Sequence, residues 1–362
     1  MKKVVISVSN NLVTDQRVDK VCNTLFLNGF DVLLIGRNYP RKLSEMLNRT
    51  YKTKRIRLLF NKGFLFYAEY NIRLFFILLF TKKDILLAND LDTLLPNFLA
   101  SRIQRKKLVF DSHELFSEVP ELVNKKFIKS VWVQLEKSLI PKLQNNYTVC
   151  LSIANYYKEK YNTNFEVIRN LPVKNDVIIL KLPFKTNKKI IIYQGAINLG
   201  RGLELMINTM KYLDNHLFLI VGSGDIIDDL QKKVERDKLE GKVYFYGKVT
   251  PDELQKITPN AILGISLEED LGLNYRYALP NKIFDYIQAN VPVLVSNLPE
   301  MRKVVTNYSV GEIVLDRNPE MLANQIENLL EKDFSKALQL AKNELIWKTD
   351  EEKLISIFKN FG

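Results

Sequence analysis

This sequence predicts two doubly wound α/β halves of Rossmann type, and three observations point to them. The chain of 362 residues is more than twice a common domain length of roughly 150. Short runs rich in Val, Ile and Leu alternate with helical periodicity through both halves, the pattern of parallel strands joined by crossover helices. Turns carrying Gly or short polar residues follow the strands at their carboxyl ends, where such sheets bind ligands. The composition agrees, since 46% hydrophobic and 26% charged residues are globular proportions.

In the first half, residues 4–8 read as a buried strand, and the leading Met1-Lys2-Lys3 is too short for a signal peptide. A polar loop follows through Asn10, Asn11 and Asp15, then a helix from Gln16 that stops at Asn28-Gly29. Residues 30–35 are the next strand, and 41–62 are basic and irregular. From 64 to 80 the chain runs FLFYAEYNIRLFFILLF, broken by Glu69 and Arg73. That run is too short and too polar for a membrane span and reads as a buried or half-buried helix. The alternative is a membrane-leaning face, with Arg49, Lys52, Lys54, Arg55, Arg57, Lys62, Lys82 and Lys83 meeting anionic headgroups. Residues 84–88 are a strand, and Asn89-Asp90-Leu91-Asp92-Thr93 caps the helix after it. Residues 107–110 form another strand with Asp111-Ser112-His113-Glu114 at its carboxyl end, and 147–152 and 165–169 close the half. The stretch 170–189 lacks periodicity, contains Pro172 and Pro183, and reads as the linker.

In the second half, residues 190–193 are a strand, and 194–202 a glycine-rich turn into a helix near 203–212. Residues 217–221 lead into Gly222-Ser223-Gly224-Asp225, and 243–246 and 261–265 continue the sheet. Pro280 opens an amphipathic helix with Ile283, Phe284 and Ile287 on its apolar face, and Pro292 leads into a short strand. Asn281, Lys282 and Asp285 fall near that helix's positive end, where a lysine adds to an anion site. An ordinary solvated first turn fits the same local pattern. Helices near 319–331, 333–345 and 351–359 end the chain. The domains are thus 1–172, 173–345 and a C-terminal helix, 346–362, returning to the first.

The formal charge of +12 fits nucleic acid, anionic lipid or a phosphorylated small molecule, and equally a lysine-rich surface that keeps the protein in solution. Cys22 and Cys150 form no disulfide framework, which fits a reducing cytoplasm. With two histidines there is little room for a zinc site. Gly195 to Arg201-Gly202 supplies backbone donors and a fixed cation, a combination suited to a diphosphate, although a tight strand-to-helix turn reads the same way. It is not a P-loop, and Gly222-Ser223-Gly224 matches only half of a dinucleotide fingerprint. His113 lies on the ligand edge of the first half, whereas His216 reads as a loop residue. No Ser-His-Asp order or metal-ligand cluster stands out.

These residues resemble the retaining nucleotide-sugar glycosyltransferases of family 4, which have the two-Rossmann GT-B fold with domains facing a cleft. Tyr193-Gln194-Gly195 to Arg201-Gly202 resembles the family's GRLxxxKG loop, Ile220 to Asp225 its vGdGp turn, and Val243 to Gly247 its VxFlG stretch. Pro280 to Leu294 resembles the lPxKxfEYmaxGxPVv helix; Asn89 to Asp92 and Asp111 to Phe116 resemble the haHDldt and yDsHElf segments. The resemblance implies that Arg201 stands where a lysine binds the donor diphosphate, Asp285 where an acid holds the ribose, and His113 where the family touches the transferred sugar. It implies a donor site of Gly195, Arg201, Gly202, Gly222, Lys248, Asn274, Asn281, Lys282 and Asp285 in the second domain, with His113, Arg201, Lys282 and Asp285 carrying catalysis. The acceptor side would be Asn10, Asn11, Asp15, Arg17, Asp90, Asp92 and Glu114 in the first domain.

The chain departs from the pattern in four places. Ala196 replaces a phosphate-binding Arg, Asp285 replaces a Glu, and Asn10-Asn11 replaces a Gly-Gly loop. Tyr277 stands where the first acid of a pair is due, with Glu268, Glu269, Asn274 and Lys282 as its candidate substitutes. The expectation is a metal-independent, cofactor-free hexosyltransferase using a UDP- or GDP-sugar and a sugar or lipid-linked acceptor in cell-surface polysaccharide or glycolipid synthesis. It would be cytoplasmic, with peripheral contact to the inner face of the membrane. Rival readings are a nucleotide-sugar epimerase or hydrolase of the same fold and, from another class, a basic nucleic-acid-binding protein. The second lacks any zinc-finger, RRM or basic-helix signature, so no nucleic-acid partner is expected.

Overall fold

The computed structural model describes residues 1–12, 15–38, 49–119, 125–174 and 176–361, apart from the side chain of Asn11. Positions 13–14 of the polar loop, 41–48 of the basic segment and 175 of the linker lie outside the described residues. The chain divides into two compact units, one of Met1–Asn170 with Asp350–Gly362, the other of Leu171–Thr349.

In the first unit the chain runs β1 (Lys3–Asn11), α1 (Gln16–Leu27), β2 (Asp31–Arg37), β3 (Lys52–Ile56), α2 (Gly63–Phe80), β4 (Ile85–Asn89) and α3 (Leu91–Ile103). It continues through β5 (Lys107–Ser112), α4 (Lys126–Leu139), β6 (Asn145–Thr148), α5 (Leu151–Tyr161) and β7 (Glu166–Val167). Among the described residues these strands form one parallel sheet in the order β3-β2-β1-β4-β5-β6-β7. The order reverses between β1 and β4, so the loops leaving those two strands part and open a crevice at their carboxyl ends.

Two sequence expectations change here. Residues 52–56 of the segment read as irregular are the edge strand β3, whose exposed lysines blunt an open edge. β1 runs on to Asn11 instead of giving way to a loop at Ser9. The apolar run is one 18-residue helix, α2, long and apolar enough to cross a membrane by length and composition, with 22% of it buried. Phe66, Tyr70, Leu74 and Leu78 form its inward stripe and pack with Val5, Ile35 and Leu86 of the sheet. Lys83 does not face outward: its ammonium is buried and donates to the carbonyls of Leu78 and Thr81 and to Gln104. Arg49 likewise pairs with Asp19 and donates to the Leu12 carbonyl.

The second unit repeats the plan with β8 (Lys189–Ala196), α6 (Leu203–Thr209), β9 (His216–Ser223), α7 (Ile227–Arg236), β10 (Val243–Gly247), α8 (Pro251–Ile257) and β11 (Leu263–Ser266). It ends with α9 (Leu273–Arg276), α10 (Asn281–Gln288), β12 (Val293–Val295), α11 (Pro299–Tyr308), β13 (Gly311–Ile313), α12 (Pro319–Leu330) and α13 (Ser335–Glu344). The parallel order is β10-β9-β8-β11-β12-β13, with its reversal between β8 and β11. Ile190 and Ile192 of β8 join one core layer with Leu217 and Leu219, while Ile191 and Tyr193 join the other with Phe218 and Ile220. Both sheet faces are thus covered, which is why these strands read as unbroken apolar runs. His216, expected in a loop, begins β9 and is buried, and burial lowers its pKa.

The last helix, α14 (Trp347–Lys359), enters the first unit at Asp350. Phe358 packs edge-on to Phe30 with ring centroids 6.2 Å apart, and the Thr24 hydroxyl donates to Glu351 at 3.1 Å. The buried Asp350 carboxylate accepts from the Arg169 amide at 2.8 Å and from its guanidinium at 2.9 and 2.7 Å.

Candidate functional sites at the two switch points

The second unit gathers its site where the strand order reverses. Gly195, next to last in β8, has φ 129°, and Gly202 caps α6 at φ 73°. A Cβ at Gly202 would lie 2.2 Å from the Leu267 carbonyl oxygen, and one at Gly222 would lie 1.9 Å from that of Gly195. Only glycine lets these backbones meet so closely. The loops are tied further by the Tyr275 hydroxyl donating to Leu199 at 2.9 Å and the Glu269 amide to Gly200 at 2.9 Å.

Into this frame α10 delivers Lys282 and Asp285. Ile283, Phe284, Tyr286 and Ile287 are buried, which fixes the rotation of the helix. The Tyr286 hydroxyl accepts from the Gln194 amide at 3.2 Å and lies 3.3 and 3.2 Å from the carbonyls of Ile192 and Ile265, so it pins both reversal strands. Lys282, expected near the helix start as part of an anion site, is 8% exposed, unlike the solvated first turn that was the alternative. Its ammonium donates to Glu268 at 2.8 Å and stands 4.0 Å from the Tyr193 ring centroid. Asp285 accepts from Gln194 at 3.0 Å, and Gln194 in turn accepts from Thr258 at 2.8 Å.

Glu268 is the residue that organises the cations. Burial would raise its pKa, but Lys282, the Ser266 hydroxyl at 2.6 Å and Arg201 hold it below the usual value. Arg201 comes within 3.7 Å of the same carboxylate, beyond hydrogen-bond reach, and lies over the Tyr275 ring at 5.0 Å. Its Nε is buried without a partner, so the guanidinium is held in place yet keeps donors to give. Two cations on one carboxylate leave a net positive pole at the mouth of the glycine loop. Asn274 sits on α9, Asn281 is the exposed first residue of α10, and Lys248 is exposed just past β10, two strands from β8.

The first unit builds a second cluster at its own reversal. Asp90, between β4 and α3, adopts φ 59°, a conformation costing a non-glycine residue about 1–3 kcal/mol. It accepts from the His113 amide at 2.8 Å and faces His113 Nδ1 at 3.2 Å, while His113 Nε2 meets Asp111 at 2.9 Å. Arg17 grips Asp111 with two bonds of 3.0 and 2.9 Å and spends a third donor on Ile168. Expected on the acceptor side, Arg17 is therefore a buried strut.

The protons of this cluster follow from its charges. Against its burial, Asp111 is held at about 2 by Arg17 and His113. Burial alone would depress His113, but Asp90 and Asp111 push it up to about 9. Burial also pushes Asp90 up to about 8, opposed by His113. One proton serves the Asp90–His113 pair, and we place it on the imidazole, which the ionised Asp111 holds from its other side. Both ring nitrogens are then occupied, so the ring leaves only its carbon edge for other contacts. Asp92, raised to about 6 by burial, accepts from Ser9 through one oxygen and keeps the other buried and unpartnered. Asp15 caps α1 and takes a 3.4 Å contact from Asn10, and Glu114 is half-buried beside His113.

Glu268, Asp111 and Ser9 complete these clusters and were not assigned site roles by motif. Glu268 carried one signal, its candidacy as a substitute acid, and Asp111 another, its place in the Asp111-Ser112-His113-Glu114 strand end; Ser9, in the stretch read as a polar loop, carried none.

Residues 174–345 match the family Glycosyl transferases group 1. The chain is 27% identical over 149 residues to an uncharacterized glycosyltransferase of Methanocaldococcus jannaschii, a match covering 40% of this chain and 36% of that protein. The matched stretch therefore spans about a third of that relative's length. In fold it is similar to sucrose-phosphate synthase from Thermosynechococcus elongatus, with a TM-score of 0.78, 13% identity and 99% of both chains covered. It is similar also to Anabaena HepE solved with UDP-glucose, with a TM-score of 0.74, 14% identity and 99% and 100% coverage. Residues 174–345 thus carry the match to a glycosyltransferase family, and the two Rossmann-like parallel sheets have the fold seen in GT-B glycosyltransferases.

Proposed function

We propose that the protein moves a sugar, with retention, from a nucleotide diphosphate donor to an acceptor hydroxyl. The observation that carries this reading is the meeting of Arg201 and Lys282 on the single buried carboxylate of Glu268 beside the glycine loop. Charge develops on the departing diphosphate as its bond to the sugar breaks, and fixed cations stabilise that charge without reorganising. Arg201, with its spare donors, meets the phosphate directly; Lys282 adds field from beneath; Asp285 orients the ribose. His113, fixed by Asp90 and Asp111, sets the sugar side; the acceptor oxygen bonds to the anomeric carbon on the face the diphosphate leaves as the sugar–diphosphate bond breaks, and the acceptor's proton passes to the departing diphosphate oxygen.

Support for a uridine donor comes from HepE, a fold neighbour solved with UDP-glucose and with UDP and glucose, and GDP remains the second base to test. A sugar or lipid-linked acceptor on the cytoplasmic side of a membrane, in cell-surface polysaccharide or glycolipid synthesis, fits the charge of +12. The chemistry as drawn uses protein cations in place of a metal.

The test is a calorimetric screen against UDP-, GDP- and ADP-sugars followed by turnover of Arg201→Ala. We expect UDP- or GDP-sugar binding and a loss of about 10²-fold in kcat/KM for the variant, with its folding unchanged. Near-normal donor turnover by a folded Arg201→Ala removes the role assigned to this cation.

A further inference from the structure

We infer that the outward face of α2 seats the protein on an anionic lipid surface, with the helix lying in the plane of the interface. The inward stripe of α2 is buried core, and Tyr70 on it donates to the Val8 carbonyl at 2.7 Å. The opposite side presents Leu65, Ile72, Phe76 and Phe80, each more than half exposed, at 53, 59, 53 and 86%. The segment just before the helix adds Leu59 and Phe60, whose amides are tied to the Glu69 carboxylate at 2.9–3.0 Å. The neighbouring α3 adds Ile103, 63% exposed. An apolar surface of this kind marks an interaction site.

Three features select lipid in preference to another occupant. Residues 49–83 hold nine Lys or Arg against one acid, Glu69. That acid is neutralised by Arg73 at 2.8 Å as well as by the two amides, so no free negative charge lies on the helix. With Lys83 and Arg49 turned inward, exposed cations still stand at both ends of the apolar face, Arg57 and Lys62 before it and Lys82 after it. An apolar strip flanked by cations complements headgroups over acyl chains. Spanning is excluded by the buried stripe, since crossing would strip Tyr70 and its neighbours from the sheet. The inference draws on the transferase reading only for its use, bringing the enzyme to a lipid-linked acceptor.

The experiment is co-sedimentation of the full chain with phosphatidylcholine vesicles, with and without about 30% phosphatidylglycerol, at low and high salt. The wild type should bind the anionic vesicles, and at least about tenfold more weakly when the lipid is neutral or the salt high. The double variant Ile72→Ser/Phe76→Ser should lose at least about tenfold in partitioning while keeping its melting temperature. Lys62→Glu/Lys82→Glu should lose the preference for anionic lipid. Absence of vesicle binding, equal binding to neutral lipid, or an unaffected serine variant would overturn the inference. So would a wild-type dimer in solution that the serine variant splits, because the face would then belong to a second copy. UDP binding on the same samples separates the two readings: UDP without vesicles sinks the docking alone, and vesicles without UDP sink the donor site alone.

Discussion

Glu268 lies at 1% exposure between an ammonium and a guanidinium, and its role can be isolated by removing charge while keeping shape. Glu268→Gln strands Lys282 in a buried position without its anion, a loss expected at about 2–4 kcal/mol. A bound diphosphate replaces the missing negative charge, so UDP should raise the melting temperature of the variant more than that of the wild type. An equal or smaller UDP shift in differential scanning fluorimetry would show that Glu268 does not hold the cations for the donor. His113 yields a prediction with a definite sign. Its pKa in the fold, about 9, lies above the ordinary value near 6.5, so its contribution is complete below pH ~6.5 and is lost as pH rises towards 9. Asp111, depressed to about 2, contributes above pH ~4 and loses its effect only in acid. Urea titrations should therefore show the first unit losing on the order of 1–3 kcal/mol between pH 6.5 and 9. His113→Phe should flatten that slope; an unchanged slope would place the titration elsewhere.

The glycine loop is the element on which the donor site rests, and its geometry can be tested by contrast. Gly29 and Gly202 both have positive φ, 86° and 73°, but an added Cβ meets nothing within 4 Å at Gly29 and the Leu267 carbonyl at Gly202. Gly29→Ala should cost about 1 kcal/mol, the backbone term alone. Gly202→Ala should cost more, ~2 kcal/mol or above, and abolish UDP binding by parting the β8 and β11 loops. Equal costs by chemical denaturation would mean that the loops do not need this contact. Much of this element was legible beforehand. Apolar runs such as 190–193 and 217–221 gave the strands because both sheet faces are buried, and Pro280 with Ile283, Phe284 and Ile287 gave α10. β3 was not legible, since Lys52, Lys54 and Arg55 at an edge carry no apolar signal. The burial of Lys282 and Arg17 was not legible, because sequence shows a charge and hides the carboxylate that allows it to be buried. Glu268 and Asp111 come from other segments to supply those carboxylates, and no local pattern encodes that meeting.

At the scale of the whole molecule, the chain leaves the first unit after Asn170 and re-enters it at Asp350. Both crossings are stapled at one point, where Asp350 accepts three bonds from Arg169. Each unit has its own apolar core, one built around α2 and the first sheet, the other in two layers about the second. The units should therefore respond separately to separate perturbations. Asp350→Ala leaves Arg169 without its anion and frees its amide, a loss of about 2–3 kcal/mol, below the figure for a fully buried pair because Arg169 is 25% exposed. UDP, bound at the Gly202–Arg201–Lys282 site, should stabilise the second unit only. Scanning calorimetry should then show two components, one lowered by Asp350→Ala and indifferent to UDP, the other raised by UDP and indifferent to the substitution. If both perturbations move a single transition together, the units unfold as one, and the linker at 170–189 transmits more than its sequence implies.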